Sequence, residues 1–393
     1  MARPVVIDES EGTRVPFLRG ILTRSLQQAG VPFKEAYAIA SELRSQIDAL
    51  GELTTEELRA RVVEQLDSFG AEVIHRYLGP PTAASIQIRY SDGHESPFSR
   101  GHHRMSLVSC GVIPDDAASV ALHIYEDLVG RGVTEITSSD LRHLTYQRLL
   151  TDLGEDAARQ YLVWQEFQRS RRPLIVVLGG AVGSGKSTIA AQVAHRLEIV
   201  RTQSTDMLRE VMRMMVPSRL MPALHTSTFK AWQALPMGGG SDRPAASALI
   251  DGYLTQAELV SVACEAVIRR AMRERVSLVV EGVHAHPRLL RTLEEEAGGD
   301  AIFVRIALAV LKPRELKARI RGRGKREPDR RARRYLRYFD EIWDLQSFLL
   351  SEADQLGVPI VSNEELEDTV HQIMTILMSA LAVQFTGTPD EVL

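Results

Sequence analysis

The stretch GGAVGSGKST, at positions 179 to 188, contains the residues with the clearest chemical use. Gly180, four intervening residues and then Gly185-Lys186-Ser187 form the pattern of a phosphate-binding loop. Backbone N–H groups would surround phosphate oxygens, Lys186 would reach the β- and γ-phosphates of ATP and assist transfer, and the Ser187 hydroxyl would ligate Mg²⁺. We predict that the nucleotide is bound by Gly180, Gly183, Ser184, Gly185, Lys186, Ser187 and Thr188.

A second group of polar residues follows other apolar stretches. Asp206 could accept a proton from a hydroxyl group or hold a Mg²⁺-bound water, or it could cap the following helix. Arg209 and Arg213, four residues apart on one helix face, could hold an anionic substrate. Glu281 ends an apolar run, where a carboxylate would orient the water shell of the metal. We therefore predict Ser187 and Glu281 as the metal-binding residues.

A basic segment extends from Lys312 to Arg337, with 13 Lys or Arg against 3 Asp or Glu in a chain of net charge −4. Glycines alternate with its arginines, which is typical of a mobile lid that closes on a phosphoryl group during transfer. We expect most of these charges to be solvated and one or two to be catalytic, and we take Arg323 as the candidate.

A parallel sheet is needed to bring these residues together. Apolar, strand-like runs alternate with helical patterns after Arg172, and they are Leu174–Leu178, Ile199–Thr202, Leu278–Glu281, Ile302–Leu308 and Val358–Val361. This alternation predicts an α/β domain with a five-stranded parallel sheet and helices on both faces. Because ligands bind at the carboxyl ends of such strands, the candidate residues should meet there.

The region before the phosphate-binding loop repeats itself. Pro16-Phe17-Leu18-Arg19-Gly20 returns as Pro97-Phe98-Ser99-Arg100-Gly101. Each copy is predicted to form a β-hairpin, Val5–Arg14 or Ile86–Glu95, followed by helices, with Gly79–Ser85 as the linker. Each copy resembles the ATP-cone, a small regulatory nucleotide-binding module that is mainly helical.

Only the second copy has the charge that the resemblance requires of a nucleotide site. Arg89 stands on its first strand, whereas the first copy has the acidic stretch Asp8-Glu9-Ser10-Glu11 there. We therefore expect any additional ATP to bind at the second copy. The alternative is that both modules serve only in packing or oligomerisation, so a homo-oligomer remains open.

Composition places the chain among globular proteins, with 44% apolar and 25% charged residues. Two cysteines are too few for a disulfide framework or a zinc site, and His284 and His286, which have no third ligand nearby, are expected to make polar loop contacts. The N-terminus lacks the apolar core of a signal peptide, and no run reaches transmembrane length. We expect a cytoplasmic protein without a membrane partner, and a frayed tail from Gln384.

The region after Arg172 resembles the 2-phosphoglycerate kinases, a P-loop family. The matching stretches are Gly179–Thr188, Ser204–Arg209, Leu224–Phe229 and Glu281–His284. The resemblance implies an ATP- and Mg²⁺-dependent transfer to 2-phosphoglycerate that yields 2,3-bisphosphoglycerate, with Asp206 positioning the acceptor hydroxyl. It also implies that the phosphorylated acid is bound by Arg209, Arg213, His225, Ser227 and Glu281.

The complete prediction is an α/β P-loop kinase domain at residues 169–385, preceded by two small, mainly helical α+β ATP-cone-like modules at residues 1–80 and 81–168. The stretch Pro236–Pro244 could be an insertion beside the acceptor site. Another phosphorylated hydroxy acid, or a polyol or inositol phosphate, is an alternative acceptor. A different class of function, sensing of ATP or dATP with nucleic-acid binding by the basic segment, is less favoured because zinc-ribbon cysteines are missing.

Lys186 gives the first test of this prediction. We expect Lys186→Ala to abolish phosphoryl transfer and to leave the fold intact, because the side chain would contact phosphate and not the core. ATP consumption and the far-UV circular dichroism spectrum measure the two effects, and unchanged turnover would contradict the assignment.

Overall fold

A computed structural model describes residues 5–8, 13–50, 52–78, 86–235, 246–288, 291–323 and 329–389. The predicted linker Gly79–Ser85, the predicted insertion Pro236–Pro244 and part of the acidic stretch of the first module lie outside these residues. The chain forms two compact units, residues 1–98 with 126–138, and residues 99–125 with 139–393. The predicted division into three domains remains a prediction.

The first repeat folds as a small three-stranded sheet, with helices between and after its strands in the chain. Its elements are β1 (Val5–Asp8), β2 (Thr13–Pro16), α1 (Arg19–Gln28), α2 (Phe33–Leu50), β3 (Glu52–Thr54), α3 (Thr55–Leu66) and α4 (Ala71–Leu78). The elements of the second repeat are β4 (Gln87–Arg89), β5 (Glu95–Pro97), α5 (Arg100–Ser109), α6 (Pro114–Gly130), β6 (Glu135–Thr137), α7 (Ser138–Asp152) and α8 (Glu155–Ser170).

The two repeats have the same strand order, β2-β1-β3 and β5-β4-β6. In each, the first strand pairs antiparallel with the second, as the hairpin prediction required, and parallel with a third. The third strands were not predicted, because each has only three residues and follows a long helix. β3 leads directly into α3, where the Thr54 hydroxyl accepts from Glu57 N and the Glu57 carboxylate accepts from Thr54 N.

The remaining chain contains the larger sheet. Its elements are β7 (Leu174–Gly180), α9 (Lys186–Arg196), β8 (Arg201–Ser204), α10 (Thr205–Met215), α11 (Ala246–Arg273), β9 (Leu278–Gly282), α12 (Arg291–Ala297), β10 (Ile302–Ala309), α13 (Pro313–Arg323), α14 (Asp329–Arg337), α15 (Phe339–Gln355), β11 (Ile360–Ser362) and α16 (Leu366–Ala382). Two 3₁₀ helices, Pro222–His225 and Thr228–Ala234, lie between α10 and α11.

The sheet has five strands in the order β11-β10-β7-β9-β8, and every neighbouring pair is parallel. β7 is buried along its whole length, as expected for a strand covered by helices on both faces. The predicted five-stranded α/β domain is therefore confirmed. β7 lies at the centre, where the chain turns to opposite sides of the sheet, and this is where such folds bind ligands.

The C-terminal tail differs from its prediction. Phe385 is 6% exposed, and its ring centroid lies 6.0 Å from that of Phe167 in α8. Gly387 N donates to the Glu166 carboxylate at 2.9 Å. The expectation of a frayed tail from Gln384 is wrong for residues 385–388, because a single aromatic side chain anchors a segment that has no helical or strand periodicity.

None of the helices in the described ranges combines the length and the apolar character needed to cross a membrane.

Gly252 allows a test of the packing between α11 and the second 3₁₀ helix. A Cβ at Gly252 would overlap the backbone of Trp232, whereas a Cβ at Gly322, in α13, has no neighbour within 4 Å. Gly→Ala inside a helix normally stabilises by up to about 1 kcal/mol. Overpacking reverses that gain, so we expect Gly252→Ala to destabilise by about 1–3 kcal/mol. Urea unfolding measures this, with Gly322→Ala as the matched control; equal effects would contradict the packing.

Candidate active site

The phosphate-binding loop connects the carboxyl end of β7 to the first turn of α9. Gly183 and Gly185 have φ of 90° and 88°, which side chains with a Cβ rarely adopt. A Cβ at Gly183 would also lie 2.9 Å from Leu316 Cδ1, and one at Gly185 would overlap the Asn363 amide. Both glycines are therefore required by the backbone and by packing. The free N–H groups at the start of α9 add a preference for anions.

The side chains of the loop fit the phosphates of ATP. Lys186 is 8% exposed, and its Nζ donates to the Ala181 carbonyl at 2.7 Å, within the loop. Ser184 Oγ is buried and has no hydrogen-bond partner among the described residues. Leaving such a group unpaired costs about 1–3 kcal/mol, so a ligand oxygen is a fitting partner for it.

Ser187 and Glu281 form a pair of oxygen donors beside the loop. Ser187 Oγ donates to Glu281 Oε1 at 3.1 Å, and Glu281 is 8% exposed. A hydroxyl and a carboxylate suit Mg²⁺, which is usually held by one or two protein oxygens together with phosphates and water. The part of the chain that the structure describes contains no cluster of three or more His, Cys, Asp or Glu that could hold a metal.

Strand pairing brings the nucleotide side and the acceptor side to one edge of the sheet. Gly179 of β7 pairs with Gly282 of β9, and Ser204 of β8 pairs with Glu281. Asp206 follows two residues after Ser204, in the first turn of α10. The N-cap of α10 is Ser204, so the alternative in which Asp206 is the cap is wrong, and its carboxylate is left for another use.

A cavity of about 530 Å³ contains most of the predicted acceptor-binding residues. It is lined by Asp206, Met207, Arg209, Glu210, Arg213, His225, Thr226, Ser227, Arg334 and Tyr335. Arg209, Arg213, His225 and Ser227 are thus brought together with Asp206 as the prediction required. Glu281 does not line this cavity and instead faces Ser187.

Two arginines of the cavity, Arg209 and Arg213, are already paired with protein acceptors. Arg209 Nη1 donates to the Thr226 carbonyl at 2.9 Å, and its Nη2 donates to Glu210 at 3.2 Å. Arg213 Nη1 donates to both oxygens of the same Glu210 carboxylate, at 3.0 and 3.1 Å. One carboxylate therefore bridges two guanidinium groups, which is the arrangement that an anionic substrate would also satisfy.

The basic segment contributes an arginine that was not predicted. Arg323 is the last residue of α13, and its side chain lies outside what the structure describes. Arg334, in α14, lines the cavity, with its guanidinium carbon 5.9 Å from the centroid of the Phe229 ring. The Tyr335 ring packs edge-on against the same phenylalanine, at 5.8 Å. The position of Arg334 in the basic segment made it a candidate, but the spacing of the arginines alone could not distinguish it from its neighbours.

Asn363 is a further residue that sequence reasoning missed. It is 6% exposed, and its Nδ2 donates to the Ser184 carbonyl at 2.7 Å, while its own carbonyl accepts from Arg319 of α13. The phosphate-binding loop is thereby tied to the end of β11 and to the basic segment. No motif around Asn363 indicates this role.

His284, two residues after the end of β9, has no exposed surface. Burial lowers its pKa to about 4, because desolvation and the positive charges of Arg209 and Lys186 outweigh the attraction of Asp206. His286 is 7% exposed, and its Nδ1 accepts from Arg288 N at 3.1 Å. Both histidines thus make polar contacts within the protein.

Sequence comparison finds relatives that match most of this chain. A protein from Pyrococcus horikoshii named 2-phosphoglycerate kinase is 37% identical over 291 residues, which are 74% of this chain and 93% of that relative. Proteins of the same name from Methanopyrus kandleri and Pyrococcus furiosus are 37% and 38% identical, over 75% and 72% of this chain and 88% and 89% of their own lengths. No family model matches the chain.

Among solved structures, a gluconokinase from Sinorhizobium meliloti 1021 aligns with 55% of this chain and 95% of its own. The identity is 15% and the TM-score 0.31. The fold assignment rests on the strand order described above.

The neutral state of His284 predicts a dependence of stability on pH. The folded pKa of about 4 lies below the value of 6.5 for a free histidine. Between these values the unfolded chain binds a proton that the folded protein does not, so the free energy of unfolding falls as the pH decreases through this window. The slope is at most about 1.4 kcal/mol per pH unit.

We expect His284→Gln to reduce that dependence, because glutamine does not titrate. Urea unfolding of both proteins at about pH 7 and pH 5 measures the effect, and other titrating groups contribute equally to both. An identical change with pH in the two proteins would contradict a neutral, buried His284.

Proposed function

The chain belongs to the 2-phosphoglycerate kinase family, and on that basis we propose that it transfers the γ-phosphoryl group of ATP to the free hydroxyl of 2-phosphoglycerate, which yields 2,3-bisphosphoglycerate. The observation that carries this proposal is the position of Asp206 among arginines, in a cavity at the same sheet edge as the phosphate-binding loop.

The nucleotide is bound by the loop that connects β7 and α9. The backbone N–H groups and Lys186 hold the phosphates, and the unpaired Ser184 hydroxyl provides an additional hydrogen bond. Ser187 and Glu281 would hold Mg²⁺ directly or through its water shell. When bound, the cation neutralises charge on the β- and γ-phosphates.

Asp206 acts on the acceptor. Its side chain is 58% exposed and lines the cavity, so an incoming hydroxyl group can reach it. In the proposed reaction Asp206 orients this hydroxyl and accepts its proton while the hydroxyl oxygen bonds to the γ-phosphorus and ADP leaves. The proton passes to Asp206 and the leaving group departs as ADP, so the reaction needs no further reactant.

The charge of the cavity suits an acceptor with a carboxylate and a phosphate. Arg209, Arg213 and Arg334 supply three positive charges, against the carboxylates of Asp206 and Glu210. Substrate binding replaces Glu210 as the partner of Arg209 and Arg213, so affinity for the acceptor is a difference between two sets of ionic hydrogen bonds. Arg323, the predicted catalytic arginine, remains a proposal alongside Arg334.

We also propose that the N-terminal repeats are ATP-cone-like modules, at residues 1–80 and 81–168, and that the kinase domain covers residues 169–385. Support comes from the identical strand order of the two small sheets. Arg89, the candidate phosphate-binding residue of the second module, pairs with Glu135 at 2.9 Å, and both side chains are about half exposed. ATP binding at this module is a prediction, as is assembly into a homo-oligomer.

The acceptor is tested by ATP consumption with 2-phosphoglycerate, 3-phosphoglycerate, other phosphorylated hydroxy acids and inositol phosphates. We expect selective turnover of 2-phosphoglycerate, because its carboxylate and phosphate match the arginines and its hydroxyl can reach Asp206. Preferred turnover of another acceptor would retain phosphoryl transfer and reject the proposed substrate.

The role of Asp206 is tested separately. We expect Asp206→Asn to lower kcat by about 10²–10⁴ and to leave the KM for ATP nearly unchanged, because the amide cannot accept the proton. Asp251→Asn, on the exposed surface of α11, is the matched control and should retain full activity. A normal kcat for Asp206→Asn would exclude its action as a base.

A further inference from the structure

Four buried polar side chains lie beside the acceptor cavity, and none of them is part of the predicted site. Thr205, Gln256 and His284 have no exposed surface, and Thr228 is 4% exposed. They come from four different places in the chain: the start of α10, the second 3₁₀ helix, α11 and the turn after β9. Such groups need hydrogen bonds to one another or to the backbone, because unpaired polar groups are costly in the interior.

The amide of Gln256 determines which ring nitrogen of His284 carries the hydrogen. Its nitrogen donates to the carbonyls of Ala223 and Thr226, the latter at 3.2 Å. Its oxygen lies 3.0 Å from His284 Nε2 and can only accept, so Nε2 carries the hydrogen. His284 Nδ1 then accepts from the Thr205 hydroxyl at 3.1 Å.

Both ends of this network lie at groups that line the acceptor cavity. The Thr226 carbonyl accepts from Gln256 and from Arg209 Nη1, and Thr226 stands between His225 and Ser227. At the other end, Thr205 immediately precedes Asp206, whose Oδ1 lies 3.8 Å from His284 Nδ1. The network thus joins the proposed base to the arginine and to the loop that face it.

Close packing leaves the network little room to rearrange. A Cβ at Gly282 would overlap the Thr205 side chain, and one at Gly252, one turn before Gln256, would overlap the backbone of Trp232. Glycine at position 282 allows the end of β9 to approach Thr205, and glycine at position 252 allows α11 to approach the second 3₁₀ helix, which begins at Thr228.

We propose that Gln256 and His284 are positioning residues for the acceptor. Through Thr205, His284 holds Asp206 in place. Through the Thr226 carbonyl, Gln256 holds Arg209 and the loop from His225 to Ser227 in the geometry that binds the phosphorylated acid. This inference rests on the proposed function and adds to it the residues that determine acceptor affinity. The phosphate-binding loop has its own support at Asn363, so binding of ATP should not depend on this network.

The test compares two buried glutamines that both bond to the backbone. Gln346 is 2% exposed and lies outside the acceptor cavity. Its amide nitrogen donates to the Val310 carbonyl, and its amide oxygen accepts from Val310 N. Gln256→Met and Gln346→Met both remove such bonds and should lower the melting temperature alike. We expect only Gln256→Met to raise the KM for 2-phosphoglycerate, by about tenfold or more, with the KM for ATP within about twofold of the wild type. Equal values of the acceptor KM in the two variants would overturn the proposal.

A second pair of variants applies if Gln256→Met fails to fold. Thr205→Ser keeps the hydroxyl that donates to His284, and Thr205→Val removes it at nearly constant volume. We expect the valine variant to show the raised acceptor KM and the serine variant to restore it. An unchanged acceptor KM in the valine variant would reject the network.

The assay also separates this inference from the proposed function. A wild-type protein that turns over a different acceptor would reject 2-phosphoglycerate, and the same comparison would then be made with that acceptor. A wild-type protein that turns over no acceptor would reject both proposals, whereas an active wild type with indistinguishable variants rejects only the positioning role.

Discussion

The pairing of three parallel strands is the constraint on which the rest of the site depends. Because Gly179 lies opposite Gly282 and Ser204 lies opposite Glu281, three separate segments of the chain end at one edge of the sheet. A shift of β9 by one residue against β7 would turn Glu281 away from Ser187, and a shift of β8 by one residue against β9 would move Asp206 relative to the phosphate-binding loop. The backbone ladder, more than any side-chain contact, thus determines the distance between the phosphate-binding loop and the cavity that contains Asp206.

Sequence reasoning predicted the relative positions of residues where these depend on local spacing. The glycines, Lys186 and Ser187 lie within one short loop, and Arg209 and Arg213 lie on one helix, so their arrangement follows from the period of the element that carries them. The strands β7, β9 and β10 were also predictable, because buried parallel strands consist of largely apolar runs. β8 is polar and begins two residues after the start of the predicted run Ile199–Thr202.

The features that were missed depend on contacts between distant segments. Gln256 stands in the middle of a long helix, and Asn363 follows a short edge strand, so neither has neighbours in sequence that mark it. The residues of β3 and β6 form strands only because they pair with β1 and β4. Phe385 anchors the tail by packing on Phe167, which no local pattern indicates.

The bond between Asn363 and the Ser184 carbonyl spans 179 residues of sequence. During synthesis, the phosphate-binding loop therefore leaves the ribosome long before the residue that supports it. Until β11 has joined the sheet, the loop lacks this support. Because translation proceeds from the N-terminus, the fully supported loop can form only after the 179 residues that follow Ser184, up to Asn363, have been synthesised. A nascent chain thus contains this loop before its hydrogen bond to Asn363 can form, and the addition of β11 to the sheet marks the point at which the supported phosphate site can exist.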